Sequence, residues 1–64
     1  MDIELIAEFG NNYYYKVDGE SFSVTLHENG DESVYDEFDN EVVFDELLAY
    51  TAELTQPPTQ ATLH

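Results

Sequence analysis

From Asp2 to Phe9 apolar and polar residues alternate. Ile3, Leu5, Ala7 and Phe9 share one face, and Asp2, Glu4 and Glu8 share the other with Ile6, the two-residue period of a half-buried strand. Gly10, Asn11 and Asn12 tolerate positive φ and supply side-chain hydrogen bonds, so they predict a hairpin turn into Tyr13 to Val17. Tyr13 and Tyr15 then belong to one face of a pleated strand and Tyr14 to the other. Asp18-Gly19 is a strong two-residue hairpin signal, and Ser21 to His27 alternates again with Phe22, Val24 and Leu26 on one side. Asn29-Gly30 predicts a further hairpin into a fourth strand, Ser33 to Phe38, with Val34, Asp36 and Phe38 on one side and Tyr35 and Glu37 on the other. Val34 and Phe38 are also four residues apart, which suits a turn of helix equally.

Beyond Glu41 the period changes. Val43, Phe44, Leu47, Leu48, Thr51 and Leu54 fall on one helical stripe, with Ala49 and Ala52 adding propensity. Two starts fit: Asp39 or Asn40 caps a helix from Glu41, or Asp45 caps a shorter one after an extended Glu41 to Phe44. Acids near either start complement the helix dipole. Gln56-Pro57-Pro58 stops the helix, and residues 56–64 read as a flexible tail. The expected architecture is α+β: an antiparallel sheet of three to four strands with one C-terminal helix packed on one face, in a single domain over residues 1–55.

Composition changes this picture through charge. Of 64 residues, 15 are Asp or Glu and one, Lys16, is basic, for a formal net charge of −14 at pH 7. A hydrophobic fraction of 42% with five Tyr and four Phe, periodically placed, separates the chain from disordered acidic segments. Such a small domain buries only about 60% of its unfolded surface, leaving no volume for a second unit. With no cysteine, disulfides and thiolate chemistry are excluded, and a cytoplasmic location is the simplest expectation. Three acids between Met1 and Phe9 oppose a secretory signal, and no apolar run approaches the roughly 20 residues of a membrane span.

Catalysis has little support. Asp36-Glu37 and Asp45-Glu46 are carboxylate pairs, but acid-base work needs a water-excluding cleft that separates their pKa values. His27 would need Ser23 or Ser33 at hydrogen-bond distance and a third, orienting group, which no motif announces. Glu28 to Glu32 fails the spacing of a calcium loop. No metal, cofactor or enzymatic activity is therefore expected. Direct nucleic-acid binding is opposed by the charge, since phosphate contacts need Lys or Arg.

The acids are concentrated. Nine of them (Glu28, Asp31, Glu32, Asp36, Glu37, Asp39, Glu41, Asp45 and Glu46) lie between residues 28 and 46, and Asp2, Glu4 and Glu8 project as a row from the first strand. Residues two apart on one strand face are separated by about 6.6 Å, a spacing that can present carboxylates as a phosphate-like ladder. Solubility alone is served by a net charge of about 2 to 8, so the excess asks for a specific cause. These twelve acids form the expected partner-binding surface, with Tyr14 and Tyr35 as aromatic anchors.

In size, acidity and its strands-plus-helix pattern the whole chain resembles the small acidic proteins that bacteriophages direct against host defence and repair, DNA-mimicking anti-CRISPR proteins and uracil-DNA glycosylase inhibitors among them. It is most similar to a very short anti-CRISPR. The resemblance implies a phage-encoded monomer or homodimer in the host bacterial cytoplasm. Its implied partner is a basic nucleic-acid-binding protein such as a subunit of a type I CRISPR effector, kept from target DNA. No diagnostic motif accompanies it, so the site residues rest on charge and periodicity alone. Two alternatives remain open: an inhibitor of another DNA-processing enzyme, such as uracil-DNA glycosylase, and a salt-adapted interaction domain from a halophile.

Overall fold

The computed structural model describes residues 1–55; the expected tail over residues 56–64, with its Pro57 stop, lies outside the described residues. The chain forms β1 (Ile3–Phe9), β2 (Asn12–Val17), β3 (Glu20–Leu26), β4 (Glu32–Asp36), β5 (Glu41–Val42) and α1 (Asp45–Thr55). The strands make one antiparallel sheet in the order β1-β2-β3-β4-β5. The α+β class is as expected, but the sheet has five strands.

Turn chemistry accounts for this meander. At the β2–β3 turn both Asp18 (φ 50°) and Gly19 (φ 86°) are left-handed, the backbone of a type I′ hairpin, whose twist matches that of the strands. The β3–β4 turn differs from a two-residue Asn-Gly hairpin. Gly30 N–H donates to the His27 carbonyl at 3.0 Å, and His27 N–H donates to that of Asp31 at 2.8 Å. Gly30 alone takes the left-handed position, at φ 95°. The β4–β5 connection repeats that geometry: Asp39 N–H donates to the Asp36 carbonyl at 3.0 Å, and Asp36 N–H to that of Asn40 at 2.9 Å. Here the left-handed residue is Asp39, at φ 67°.

That connection ends the fourth strand at Asp36, so the expected continuation to Phe38 does not form and Phe38 is exposed. It also returns the chain as β5, with Val42 opposite Val34 and Glu41 opposite Tyr35. Of the two helix starts, the shorter one is found. Phe44 stands at the N-cap, its carbonyl accepting Leu48 N–H at 3.1 Å, so Asp45 is the first helical residue and does not cap. Asp45 and Glu46 in the first turn favour the helix dipole. Val43 is 91% exposed and Leu54 also faces solvent. The buried stripe is therefore shorter than the periodicity suggests, because Val43 lies in the link between β5 and α1.

The left-handed Asp39 carries a testable cost. Glycine occupies the equivalent place in the β3–β4 turn at no steric penalty, whereas an L-residue pays for its Cβ. Asp39→Gly is expected to be more stable than Asp39→Asn, which removes the same charge, by about 0.5 to 1 kcal/mol in urea unfolding. Equal stability of the two variants would show the backbone there to be unstrained.

The core lies between one sheet face and α1. Tyr15, Val17, Val24, Val34 and Leu47 are buried, with Ile3, Leu5, Phe22, Leu26, Val42, Phe44, Leu48 and Tyr50 packed around them. Phe22 meets Phe44 edge-on at 5.1 Å, and Tyr15 meets Tyr50 edge-on at 5.9 Å, contacts worth roughly 0.5 to 1.5 kcal/mol each beyond area burial. The buried Thr51 hydroxyl donates to the Leu47 carbonyl at 2.9 Å. Its single proton being used, it accepts from the Tyr15 hydroxyl at 2.6 Å. This bond ties the helix to β2 and leaves no buried side-chain polar atom among the described residues without a partner.

Burial, partly offset by the Thr51 hydroxyl, raises the Tyr15 phenol above its ordinary 10.0. Tyr13 is raised in the same direction by desolvation and then by the charge of Glu8. Unfolded tyrosines ionise near pH 10, so between that value and the raised folded values the native state holds more protons. The contribution is complete below about pH 10 and is lost as pH rises through the folded values. Tyr15→Phe should therefore lose less of its own neutral-pH stability than the parent chain when circular dichroism is followed from about pH 8 to 12. An identical alkaline limb would place the sensitivity elsewhere.

Candidate functional site

The second sheet face is uncovered, and cross-strand register fixes its rows: Glu4, Lys16 and Ser21; Ala7, Tyr14, Ser23, Tyr35 and Glu41; Phe9, Asn12, Thr25 and Ser33. A β-bulge places Ile6 without a partner between Leu5, opposite Tyr15, and Ala7, opposite Tyr14. Because strand faces alternate, one extra residue inverts everything after it. Ala7 and Phe9 therefore turn to the uncovered face, against expectation, and Glu8 turns to the helix side beside Tyr13. The expected row Asp2, Glu4 and Glu8 is thus broken. Phe9, 67% exposed, meets Tyr14 edge-on at 6.1 Å.

Sequence clustering of the acids is not clustering in space. A meander sends alternate turns to opposite ends of the sheet. Glu28, Asp31 and Glu32 lie at the end that holds the β3–β4 turn, while Asp36, Glu37 and Asp39 lie at the other, about 15 to 20 Å away along β4. The latter end also holds Asp2, Asp18 and Glu20, since β1 starts and the β2–β3 turn falls there. Asp45 and Glu46 open the helix, which meets the opposite face through a short stretch around the buried Leu47 and Thr51, less than the expected packing over a whole face.

Some carboxylates are occupied in shaping turns. Asp36 Oδ1 accepts Phe38 and Asn40 N–H, each at 2.9 Å, and Asp18 Oδ1 accepts Asp2 N–H at 2.8 Å. Asn29 Oδ1 accepts Asp31 N–H at 3.0 Å, while Asn29 Nδ2 donates to Asp31 Oδ2 at 3.1 Å. Glu4 lies on the uncovered face by register, and Glu37 and Asp39 border that face at the β4–β5 turn, while Asp36 follows Val34 on the helix side, opposite Phe22. One shallow hollow is lined by Tyr14, Ser21, Ser23, Asp36, Glu37 and Asp39 with Phe22; another is lined by Asp2, Glu4, Lys16, Asp18 and Gly19. Between the two acidic banks runs a floor of hydroxyls and tyrosine with one cation, Lys16.

Of the fourteen expected site residues, this arrangement brings together Asp2, Glu4, Asp36, Glu37, Asp39 and Tyr14, with Tyr35 and Glu41 in the same row as Tyr14. Glu8, Glu28, Asp31, Glu32, Asp45 and Glu46 lie elsewhere. Asp18, Ser21, Ser23 and Phe9 join the surface unforeseen. Asp18 and its Gly19 partner were legible as a turn, and β3 alternation places Ser21 and Ser23 opposite Phe22 and Val24.

His27 Nε2 lies 2.9 Å from Ser33 Oγ, with both groups exposed beside the β3–β4 turn. That placement suits a turn-bracing hydrogen bond more than nucleophile activation, which requires a base oriented by a third group. Among the described residues no three acidic or histidine side chains converge as a metal site requires, and no helix is long and apolar enough to cross a membrane. Comparison with protein-family models, curated proteins and solved structures finds no match to this chain.

Proposed function

We propose that this chain is a nucleic-acid-mimicking inhibitor that occupies the basic DNA-binding surface of a host-defence protein, a CRISPR effector subunit being the partner implied by its resemblance to anti-CRISPR proteins. The observation that carries this reading is the charge of −14 against a single lysine, arranged in part as two banks on one sheet face. The banks arise at β1 with the β2–β3 turn and at the β4–β5 turn. Two to three strand spacings, about 10 to 14 Å, separate the two banks. B-DNA offers a comparable pattern, with phosphate backbones walling a major groove about 12 Å wide. A basic surface that grips two phosphate walls finds like charge at like separation, and long-range attraction speeds the encounter. The mimicry proposed runs between two banks, not along a ladder on β1.

The salt-adapted reading has one observation in its favour: acids also occupy the far end and the helix, at Glu28, Asp31, Glu46 and Glu53. Competition separates the two. Titrated into a guide-loaded type I effector complex holding a fluorescent target duplex, the chain should displace DNA at low salt. Displacement should weaken at least tenfold between about 50 and 200 mM salt. A uracil-DNA glycosylase bound to duplex tests the other enzyme class in parallel. If neither releases DNA, the inhibitor reading falls.

A further inference from the structure

The acidic-inhibitor reading leaves open which side of the molecule meets the partner. We infer that it is the uncovered sheet face, and that its occupant is an arginine-bearing segment of the partner lying across Tyr14 between the two acidic banks. This inference rests on the proposed function and adds a location and a residue preference to it.

The placement of charge argues for this side. By register, Glu4 and Glu41 are the acids on the strand rows of this face, and its middle row carries Tyr14, Ser23 and Tyr35. An uncharged, tyrosine-bearing centre with a charged rim is the anatomy of a protein interface, in which water is excluded from the middle and ion pairs steer from the edge. Two exposed rings stand together on this side: Phe9 is 67% exposed and lies edge-on against Tyr14, itself 39% exposed. Ordinary solvent-facing strand positions have no need of such rings.

Charge complementarity selects the occupant. Glu37 and Asp39 share a hollow with Tyr14, Ser21 and Ser23. A cation entering there meets carboxylates at the wall and a ring face or edge at the floor. Guanidinium suits both, because it stacks on aromatic rings and pairs bidentately with carboxylates, while an ammonium is a more strongly hydrated point charge. Lys16, on the row with Glu4 and Ser21, is the one feature that opposes a cation there.

The probes are nona-arginine and nona-lysine peptides added to the isotope-labelled full chain, with amide shifts and affinity recorded. Arginine peptide should bind several-fold more tightly than lysine peptide and shift Tyr14, Ser21, Ser23, Tyr35 and Asp39 most. Tyr14→Ser should lower arginine-peptide affinity about tenfold and narrow the preference. Lys16→Gln should raise affinity, which no folding defect can imitate. Glu53→Gln, on the helix, should change affinity far less than Glu37→Gln, which removes the same charge.

Three results would overturn the inference. Shifts centred on Asp45, Glu46 and Glu53, or equal effects of Glu37→Gln and Glu53→Gln, would relocate the surface while leaving the acidic-inhibitor reading intact. Shifts on the sheet face that grow with protein concentration in the absence of peptide would assign it to a second copy of this chain. No binding of either peptide at low salt would remove the inference together with the reading on which it rests.

Discussion

Replacing Leu47 by Ala is expected to leave the chain largely unfolded at low salt. Leu47 is 0% exposed, and with Thr51 it forms the buried part of α1. Truncating a buried Leu costs about 2 to 5 kcal/mol through lost transfer energy and the cavity left behind. The whole stability expected of a chain this short is of similar size, about 3 to 10 kcal/mol at roughly 0.05 to 0.15 kcal/mol per residue. The substitution also loosens the helix turn that holds Thr51 under the Tyr15 hydroxyl, so the bond between helix and sheet weakens with it. Urea unfolding followed by circular dichroism should show a midpoint moved close to zero denaturant. Val43→Ala, at a 91% exposed position assigned by periodicity to the same stripe, should lie within about 0.5 kcal/mol of the parent. Comparable losses for the two variants would mean that the helix does not dock as described.

Salt should strengthen this fold, the opposite of the effect expected on the proposed partner binding. Fourteen unbalanced negative charges make on the order of ninety mutual repulsions. A pair about 15 to 20 Å apart contributes roughly 0.2 to 0.3 kcal/mol in water before screening. At about 10 mM salt the Debye length is about 30 Å and most of these survive, while at about 1 M it is about 3 Å and most vanish. The unfolded chain already relieves much of the repulsion by expansion, so the difference in stability is smaller, on the order of a few kcal/mol. In a domain of this size each kcal/mol moves Tm by about 4 to 8 °C. A rise of 10 °C or more between those salt concentrations is therefore expected in scanning calorimetry, with sodium and potassium chloride equivalent. A flat Tm would mean that the acids are too far apart in the fold to oppose it. The opposite sign is expected of DNA displacement, because there the same ions screen attraction.

Under the proposed function the charge has two costs and one use. Self-repulsion destabilises the compact state, and Asp39 holds a left-handed backbone at the β4–β5 turn. The use lies in where the turns deliver the carboxylates. Asp18, Asp36 and Asp39 all shape or flank turns at one end of the sheet, so the geometry that folds the meander also builds the two banks. Exchanging those acids for amides keeps many of their turn hydrogen bonds and removes charge, which makes Asn and Gln variants suitable probes of binding.

Legibility followed the range of the interaction. The alternation of Tyr13, Tyr14 and Tyr15, the Phe22, Val24 and Leu26 face and the Asp18-Gly19 hairpin are local facts, and the strands and turn they predict are present. The bulge at Ile6 was not legible: an apolar residue on a polar face fits a regular strand as well as a bulged one until β2 sets the register. Val43 and Leu54 share a helical stripe with Leu47, yet only Leu47 of the three is buried, because periodicity marks a face without showing how far the neighbouring sheet extends along it. An extended stretch from Glu41 was one of two open readings, but its pairing as a fifth strand was hidden for a related reason. Its two residues are extended only because Asp39 reverses the chain and Val34 accepts Val42 as a neighbour.

Taken by itself the sequence determined the α+β class, the first three strands, the helix over Leu47 to Thr51 and the total charge, all of which depend on composition and on contacts a few residues apart. Only the tertiary structure decided which acids are neighbours. A stretch from Glu28 to Glu46 that reads as one acidic block is divided between the two ends of the sheet and the helix, while Asp2, Glu4 and Asp18, distant in sequence from Glu37 and Asp39, share a face with them. The reason is that a strand carries the chain about 3.3 Å per residue away from its starting point, and each reversal returns it beside residues that no local pattern could name.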